Sequence, residues 1–139
     1  MCAGFQIIGN TFWADGQKVD GLSLLDVESS PGKKRCVGEV KAKTSILNLD
    51  LSGFENHSGV TTLNSGVQAF AKVSSGYGNG DGRFDGAVVG NVFGTYMHGP
   101  ILARNPQLAD LILTRATGSA FNQISDPLAS KYAEIARKY

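Results

Sequence analysis

No apolar run in this 139-residue chain approaches the roughly 20 residues that a membrane-spanning helix requires, so no helical span is expected within it. No basic-then-apolar leader stands ahead of Cys2, and a secretion signal is therefore not expected. Cysteine is scarce: Cys2 and Cys36 are the only two, which suits reduced thiols in the cytoplasm and excludes a disulfide framework. Histidine is equally scarce. His57 and His98 lie far in sequence from each other and from both cysteines, so no close pair of metal ligands forms, and neither a metal nor another cofactor is expected. A surplus of one charge is missing too. The net charge of +1 gives no general attraction to nucleic acid or to a membrane surface. Internal repeats, low-complexity tracts and linkers are absent, which leaves one domain with 42% hydrophobic residues to build its core.

What the chain has in quantity is glycine. Its 18 glycines gather at 53–66 and 76–99, where short apolar runs alternate with turn residues, the pattern of many strands and tight connections. Strands are predicted at 21–27 (stopped by Ser29-Ser30-Pro31-Gly32), 35–46, 47–54 and 66–74. Residues 84–90 and 92–96 are predicted to pair as a hairpin around Gly90-Asn91. Gly76 to Gly82 reads as a flexible turn. Helical spacing is confined to the two ends. A short helix is predicted over 4–14, with Phe5, Ile8 and Phe12 on one face. Asn105-Pro106 starts a second helix, with Leu108, Leu111 and Ile112 inward and Gly118 at its end. Asp126-Pro127 starts a third, with Leu128, Tyr132, Ile135 and Tyr139 at helical spacing. The class implied is α/β.

The chemistry concentrates at the start. In Cys2-Ala3-Gly4-Phe5-Gln6 a cysteine is followed by small residues, as a tight strand-to-helix elbow requires if it is to expose one sulfur. A thiol is mostly protonated at neutral pH and needs a base or a favourable field to attack carbonyl carbon. His98 ends an apolar strand and is followed at once by Gly99-Pro100, so its ring can face a cleft. His57 sits among polar residues on what reads as a loop. His98 is the better base on these grounds. Cys36 reads as a small strand residue rather than a reactive thiol. The acidic, glycine-rich stretch 79–86 lacks the closing glutamate of a calcium loop and is explained by turn formation.

Taken in order, Cys-Ala-Gly-Phe-Gln at 2–6, Gly-Phe-Glu-Asn-His at 53–57, Gly-Tyr-Gly-Asn-Gly at 76–80, Gly-Thr-Tyr-Met-His-Gly-Pro at 94–100 and Ala-Arg-Asn-Pro-Gln-Leu-Ala-Asp at 103–110 resemble the CobB/CobQ-like class I glutamine amidotransferases, above all the GatD-type glutaminase subunit of lipid II isoglutaminyl synthase. The resemblance implies a flavodoxin-like sheet with flanking helices. It implies hydrolysis of L-glutamine through a thioester on Cys2, with His98 as base and acid and Ala3 supplying an oxyanion amide. It further implies substrate contacts from Gln6, Arg35, the Glu55-Asn56-His57 segment and the Tyr77-Gly78-Asn79 segment. The ammonia would pass to an ATP-dependent, Mur-ligase-like synthetase subunit, as a heterodimer that amidates D-glutamate of lipid II in peptidoglycan synthesis. The amidotransferase part of a cobyric acid or cobyrinate amidating synthase is the second enzyme reading. A catalytically impaired docking fragment is the third.

Two features depart from the wider family. The position two residues after the histidine, often a glutamate that orients the ring, is Pro100. The expectation is an acid borrowed from the synthetase. Members of the family also carry strands ahead of the nucleophile, one loop of which helps form the oxyanion hole. Residues 1–139 therefore read as a partial amidotransferase domain, and the chain alone is expected to be a poor glutaminase that self-associates.

Overall fold

The computed structural model describes residues 1–119 and 127–138. The fold is α/β, a six-stranded mixed sheet and a separate two-stranded hairpin with helices at both ends of the chain. The elbow at Cys2 feeds α1 (Ala3–Ile7). This helix is shorter than predicted. Phe12 belongs to β1 (Thr11–Ala14), which turns through Asp15-Gly16 into β2 (Gln17–Asp20). Both turn residues have positive φ, as a two-residue hairpin loop needs, and Asp-Gly is a strong sequence signal for it. Residues 21–25 are not a strand. Their amides bond instead to the carbonyls of Ile7, Ile8, Gly9 and Asn10, which strap this segment across the end of α1.

The axis of the sheet is β3 (Val27–Thr44), paired antiparallel with β4 (Leu49–Leu63) along both their lengths. Ser29 to Gly32 is expected to stop a strand, but Ser29, Ser30 and Pro31 stay paired with β4 and a bulge follows them. The ladder breaks between Pro31 and Cys36, because proline has no N–H to donate, and then resumes. β4 likewise runs past residue 54 to Leu63, so His57 stands on a strand and not on a loop. Strand alternation turns Glu55 and His57 inward and Asn56 outward. β5 (Ala71–Ser75) flanks β3 on the other side and begins later than the sequence suggests. The turn at 76–82 leads to β6 (Phe84–Asp85), which pairs with β5. β7 (Ala87–Val89) and β8 (Val92–Gly94) form the hairpin predicted around Gly90-Asn91.

After His98 come α2 (Ile101–Arg104), α3 (Pro106–Thr117) and α4 (Pro127–Lys138). Pro106 opens α3, and Gly118, at φ 68°, closes it in the left-handed conformation. Asn105 does not cap α3 with its side chain. That side chain turns into the core, where it brackets Ser52, accepting from its N–H (3.0 Å) and donating to its carbonyl (2.8 Å). In α4 it is Ala133 that is buried, while Leu128, Tyr132 and Ile135 are exposed. Asp126 and Tyr139, assigned to this helix from sequence, lie outside the described residues.

Apolar burial forms two clusters. One joins Val40, Leu51, Phe70, Val73, Met97, Ile101 and Leu108; the other joins Phe5, Leu25, Val27, Ala87 and Tyr96. Tyr96 and Met97 are both fully buried, so one peptide bond connects the two cores. Each such side chain contributes about 1.5–3 kcal/mol of burial, and His98 follows directly.

Candidate active site

Cys2 adopts φ 49° and ψ −115°, a backbone region that costs a non-glycine residue about 1–3 kcal/mol and persists only where its surroundings hold it. Two contacts hold it. Its N–H donates to the Thr95 carbonyl at 2.9 Å, and its carbonyl accepts from Gln6 N–H at 3.1 Å. The thiol is half-buried. Ala3, next in the chain, opens α1, where first-turn amides have no intrahelical acceptor. Gly94 keeps β8 against α1: a Cβ there would collide with the Phe5 ring.

The Thr95–His98 segment is fixed from several sides. His98 N–H donates to the Phe54 carbonyl at 2.6 Å, a single bridge to β4. Thr95 Oγ1 accepts Met97 N–H at 3.0 Å and donates to the Asp85 carboxylate. Tyr96 N–H donates to Asp85 Oδ1 at 3.1 Å. His98 Nε2 is buried and has no hydrogen-bond partner among the described residues. None of the ion pairs described engages its ring.

Tyr96 is the hub between the elbow and the sheet. Its hydroxyl accepts from Gln6 Nε2 at 3.0 Å and meets Thr61 Oγ1 at 2.7 Å; Ser29 Oγ extends the chain to Thr61 at 2.8 Å. The Phe5 ring packs edge-on against it at 5.3 Å. Burial pushes the Tyr96 hydroxyl above its ordinary pKa against the opposing hydrogen bonds from Thr61, Gln6 and Ser29.

The two histidines are in different situations. His57 is 4% exposed, with Nδ1 2.8 Å from the Gly59 carbonyl and Nε2 3.5 Å from Glu55 Oε2. Glu55, also buried, accepts the N–H groups of Tyr77 (2.7 Å) and Gly78 (2.9 Å). The 76–82 turn is thereby tied to β4. Asn79 clamps the other side of that turn, its carboxamide bonded to both the N–H and the carbonyl of Gly86. Arg35 is exposed, and its Nε donates to Asn56 Oδ1 at 2.8 Å on the outward side of β4. Lys34 Nζ lies 4.0 Å from the centre of the Tyr77 ring. The motif residues thus fall into an inward group (Gln6, Glu55, His57, Gly78, Asn79) and an outward pair (Arg35, Asn56), with Tyr77 between them.

Asp85, Thr95, Tyr96, Thr61 and Ser29 escaped the sequence reading as site residues. A signal existed for Asp85, an acid inside the otherwise apolar Phe84–Val89 run. It is fully buried, and burial pushes its pKa up to about 6 despite the hydrogen bonds from Thr95 and Tyr96. Cys36, a strand residue as expected, is 3% exposed and stands opposite His57 in the β3–β4 ladder. No helix among the described residues is long and apolar enough to cross a membrane.

The family model of the CobB/CobQ-like glutamine amidotransferase domain matches residues 1–106. The glutamine-hydrolysing lipid II isoglutaminyl synthase subunit GatD of Streptococcus pneumoniae is 30% identical over 151 aligned residues, covering 99% of this chain and 58% of that protein. Its namesake from Staphylococcus aureus is 34% identical over 118 residues, covering 84% of this chain and 47% of that protein. A probable cobyric acid synthase of Methanothermobacter thermautotrophicus is 35% identical over 114 residues, covering 71% of this chain and 22% of that protein. The chain spans about half the length of the GatD relatives it matches. With an elbow cysteine bonded to the segment that ends in His98, and with most of its length matching the family's pattern, the chain belongs to the CobB/CobQ-like glutamine amidotransferases.

Proposed function

We propose that residues 1–139 are part of a glutaminase domain that hydrolyses L-glutamine on Cys2 and supplies ammonia to an ATP-dependent, Mur-ligase-like synthetase in the cytoplasm. In this reading the acceptor is the D-glutamate of lipid II, amidated during peptidoglycan synthesis. One observation carries it: a strained Cys2 whose backbone bonds to the segment ending in His98, an imidazole whose buried Nε2 is unoccupied. The GatD alignments take in more of the chain than the cobyric acid synthase alignment, which favours the lipid II reading over the cobyrinate one.

The chemistry follows from those groups. His98 takes the thiol proton, and the Cys2 sulfur attacks the side-chain amide carbon of glutamine. The oxyanion that develops is met by the Ala3 N–H. The C–N bond breaks as His98 returns the proton to the leaving nitrogen, giving ammonia and a γ-glutamyl thioester. His98 then deprotonates water, which attacks the thioester carbonyl and releases glutamate and the thiol. Gln6, one helical turn from Cys2, orients the substrate amide, and Arg35 with Asn56 holds its α-carboxylate, a bidentate partner for guanidinium. Glu55, His57, Tyr77, Gly78 and Asn79 line the site from the inward side of β4 and from the 76–82 turn in this reading.

His98 is bonded to no acid among the described residues, and the third group of the triad comes from the synthetase in this reading. The test is ammonia release from L-glutamine by the chain alone and with a Mur-ligase-like partner. Activity that depends on Cys2 and rises on complex formation supports the reading. A full rate in isolation rejects the borrowed acid, and the absence of any Cys2-dependent turnover or glutamine-analogue labelling, with or without the partner, rejects the function.

A further inference from the structure

Among the described residues, Asp85 is the one fully buried acid that the proposed chemistry leaves without a task. It sits on the two-residue strand β6, in register with Ala71 of β5, and so is anchored to the main sheet. Its carboxylate receives two donors from consecutive residues, the Thr95 hydroxyl and the Tyr96 N–H. The same Thr95 hydroxyl accepts Met97 N–H, and the Thr95 carbonyl accepts Cys2 N–H. All three residues ahead of His98 are therefore aligned by a network centred on one side chain, and the nucleophile's own amide hangs from it. Packing alone would not call for an acid here, since an ionised carboxylate in an apolar interior is costly unless its hydrogen bonds do something that an apolar residue could not.

We propose that Asp85 is a positioning residue of the amidotransferase site: by clamping Thr95 and Tyr96 it holds the Cys2 backbone and the His98 imidazole in one frame. This rests on the glutaminase reading above. The carboxyl group acts through Thr95 and Tyr96 and not on the substrate. Displacements of about 1 Å in a nucleophile–base pair cost up to about a hundredfold in rate. Asn at this position offers one acceptor and turns an NH2 toward the second donor, which breaks the clamp while preserving volume.

The experiment measures covalent labelling of Cys2 in the full chain by 6-diazo-5-oxo-norleucine, mapped by mass spectrometry. Asp85→Asn is expected to lower the inactivation rate constant about tenfold or more, with the analogue's apparent binding constant within about twofold of the original. A folded Asp85→Asn protein that labels at the unaltered rate overturns the proposal. Where Asp85→Asn does not fold, Thr95→Val and Thr95→Ser decide. Loss in Val with recovery in Ser supports the clamp, and equal rates in both overturn it. Absence of Cys2 labelling in the unaltered chain, both alone and with a Mur-ligase-like partner, overturns the glutaminase reading itself, and this role falls with it.

Discussion

The imidazole of His57 lies flat on the phenol ring of Tyr96, their centres 3.8 Å apart and their planes 17° from parallel. With both of its nitrogens also committed, to Gly59 and to Glu55, His57 braces the hub that joins α1 to β4. His98 has no such commitments at Nε2. The two histidines should therefore separate cleanly by mutation. His98→Asn should lower glutamine hydrolysis by about 100- to 10,000-fold with little change in melting temperature. His57→Ala should instead cost stability, on the order of 1–3 kcal/mol from the groups left unpaired, in denaturant titration. Equal loss of turnover in two equally stable variants would contradict the assignment.

Gly59 lies under the Gln6 carboxamide, and a Cβ there would collide with Gln6 Nε2 and stand 2.9 Å from the Tyr96 hydroxyl. Gly59→Ala should displace Gln6, destabilise the fold by about 1–3 kcal/mol and raise KM for glutamine. Gln6→Ala added to it should recover part of the stability but not the KM. A double-mutant cycle on thermal unfolding measures that coupling, and strictly additive effects would show that the two side chains do not compete for the space.

The buried Asp85 makes a pH prediction. Its pKa rises from 3.8 unfolded to about 6 folded, chiefly through burial, with Glu55 adding to the rise and Thr95, Tyr96 and His57 opposing it. A raised carboxylate pKa means that the folded state binds the extra proton between those two values. Stability from this group is therefore greatest below pH 4 and falls as pH climbs to 6, by about 3 kcal/mol in all at 1.36 kcal/mol per pH unit. Urea titrations at pH 4.5 and 7 should show a smaller loss between the two pH values for Asp85→Asn than for the unaltered chain. An unchanged slope would place the proton elsewhere.

Cys36 gives a control for every labelling experiment. Burial, and then the negative charge of Glu55, push its thiol above the ordinary range against the pull of Lys34. Iodoacetamide at neutral pH should reach Cys2 in the folded protein and leave Cys36 unmodified until denaturant is added, as read by peptide mass spectrometry.

The sequence displayed most clearly what is decided locally. Gly90-Asn91 between apolar runs reads as a hairpin, and Pro106 and Gly118 bracket α3, because each needs only a few adjacent dihedral angles. The elbow at Cys2 was legible for the same reason. Pro31-Gly32 misled because a proline that ends a strand and one that bulges it look alike until the partner strand is known; here β4 continues on both sides and carries β3 with it. His57 was misplaced on a loop by its polar neighbours. Strand alternation puts its ring inside with Glu55, and the ring stacks on Tyr96, 39 residues further along the chain. Asp85 depended on Thr95 and Tyr96 in the same way. Asp15-Gly16 was a local signal that the helical reading of residues 4–14 overran.

Because Tyr96 and Met97 are rooted in separate apolar clusters, neither half of the molecule can loosen without dragging the imidazole off its mark. Damage anywhere in the interior therefore silences the chain as it comes apart. If the proposed glutaminase reading holds, a heated sample should lose ammonia formation along the same curve as its tertiary structure, with no half-molten species still turning over.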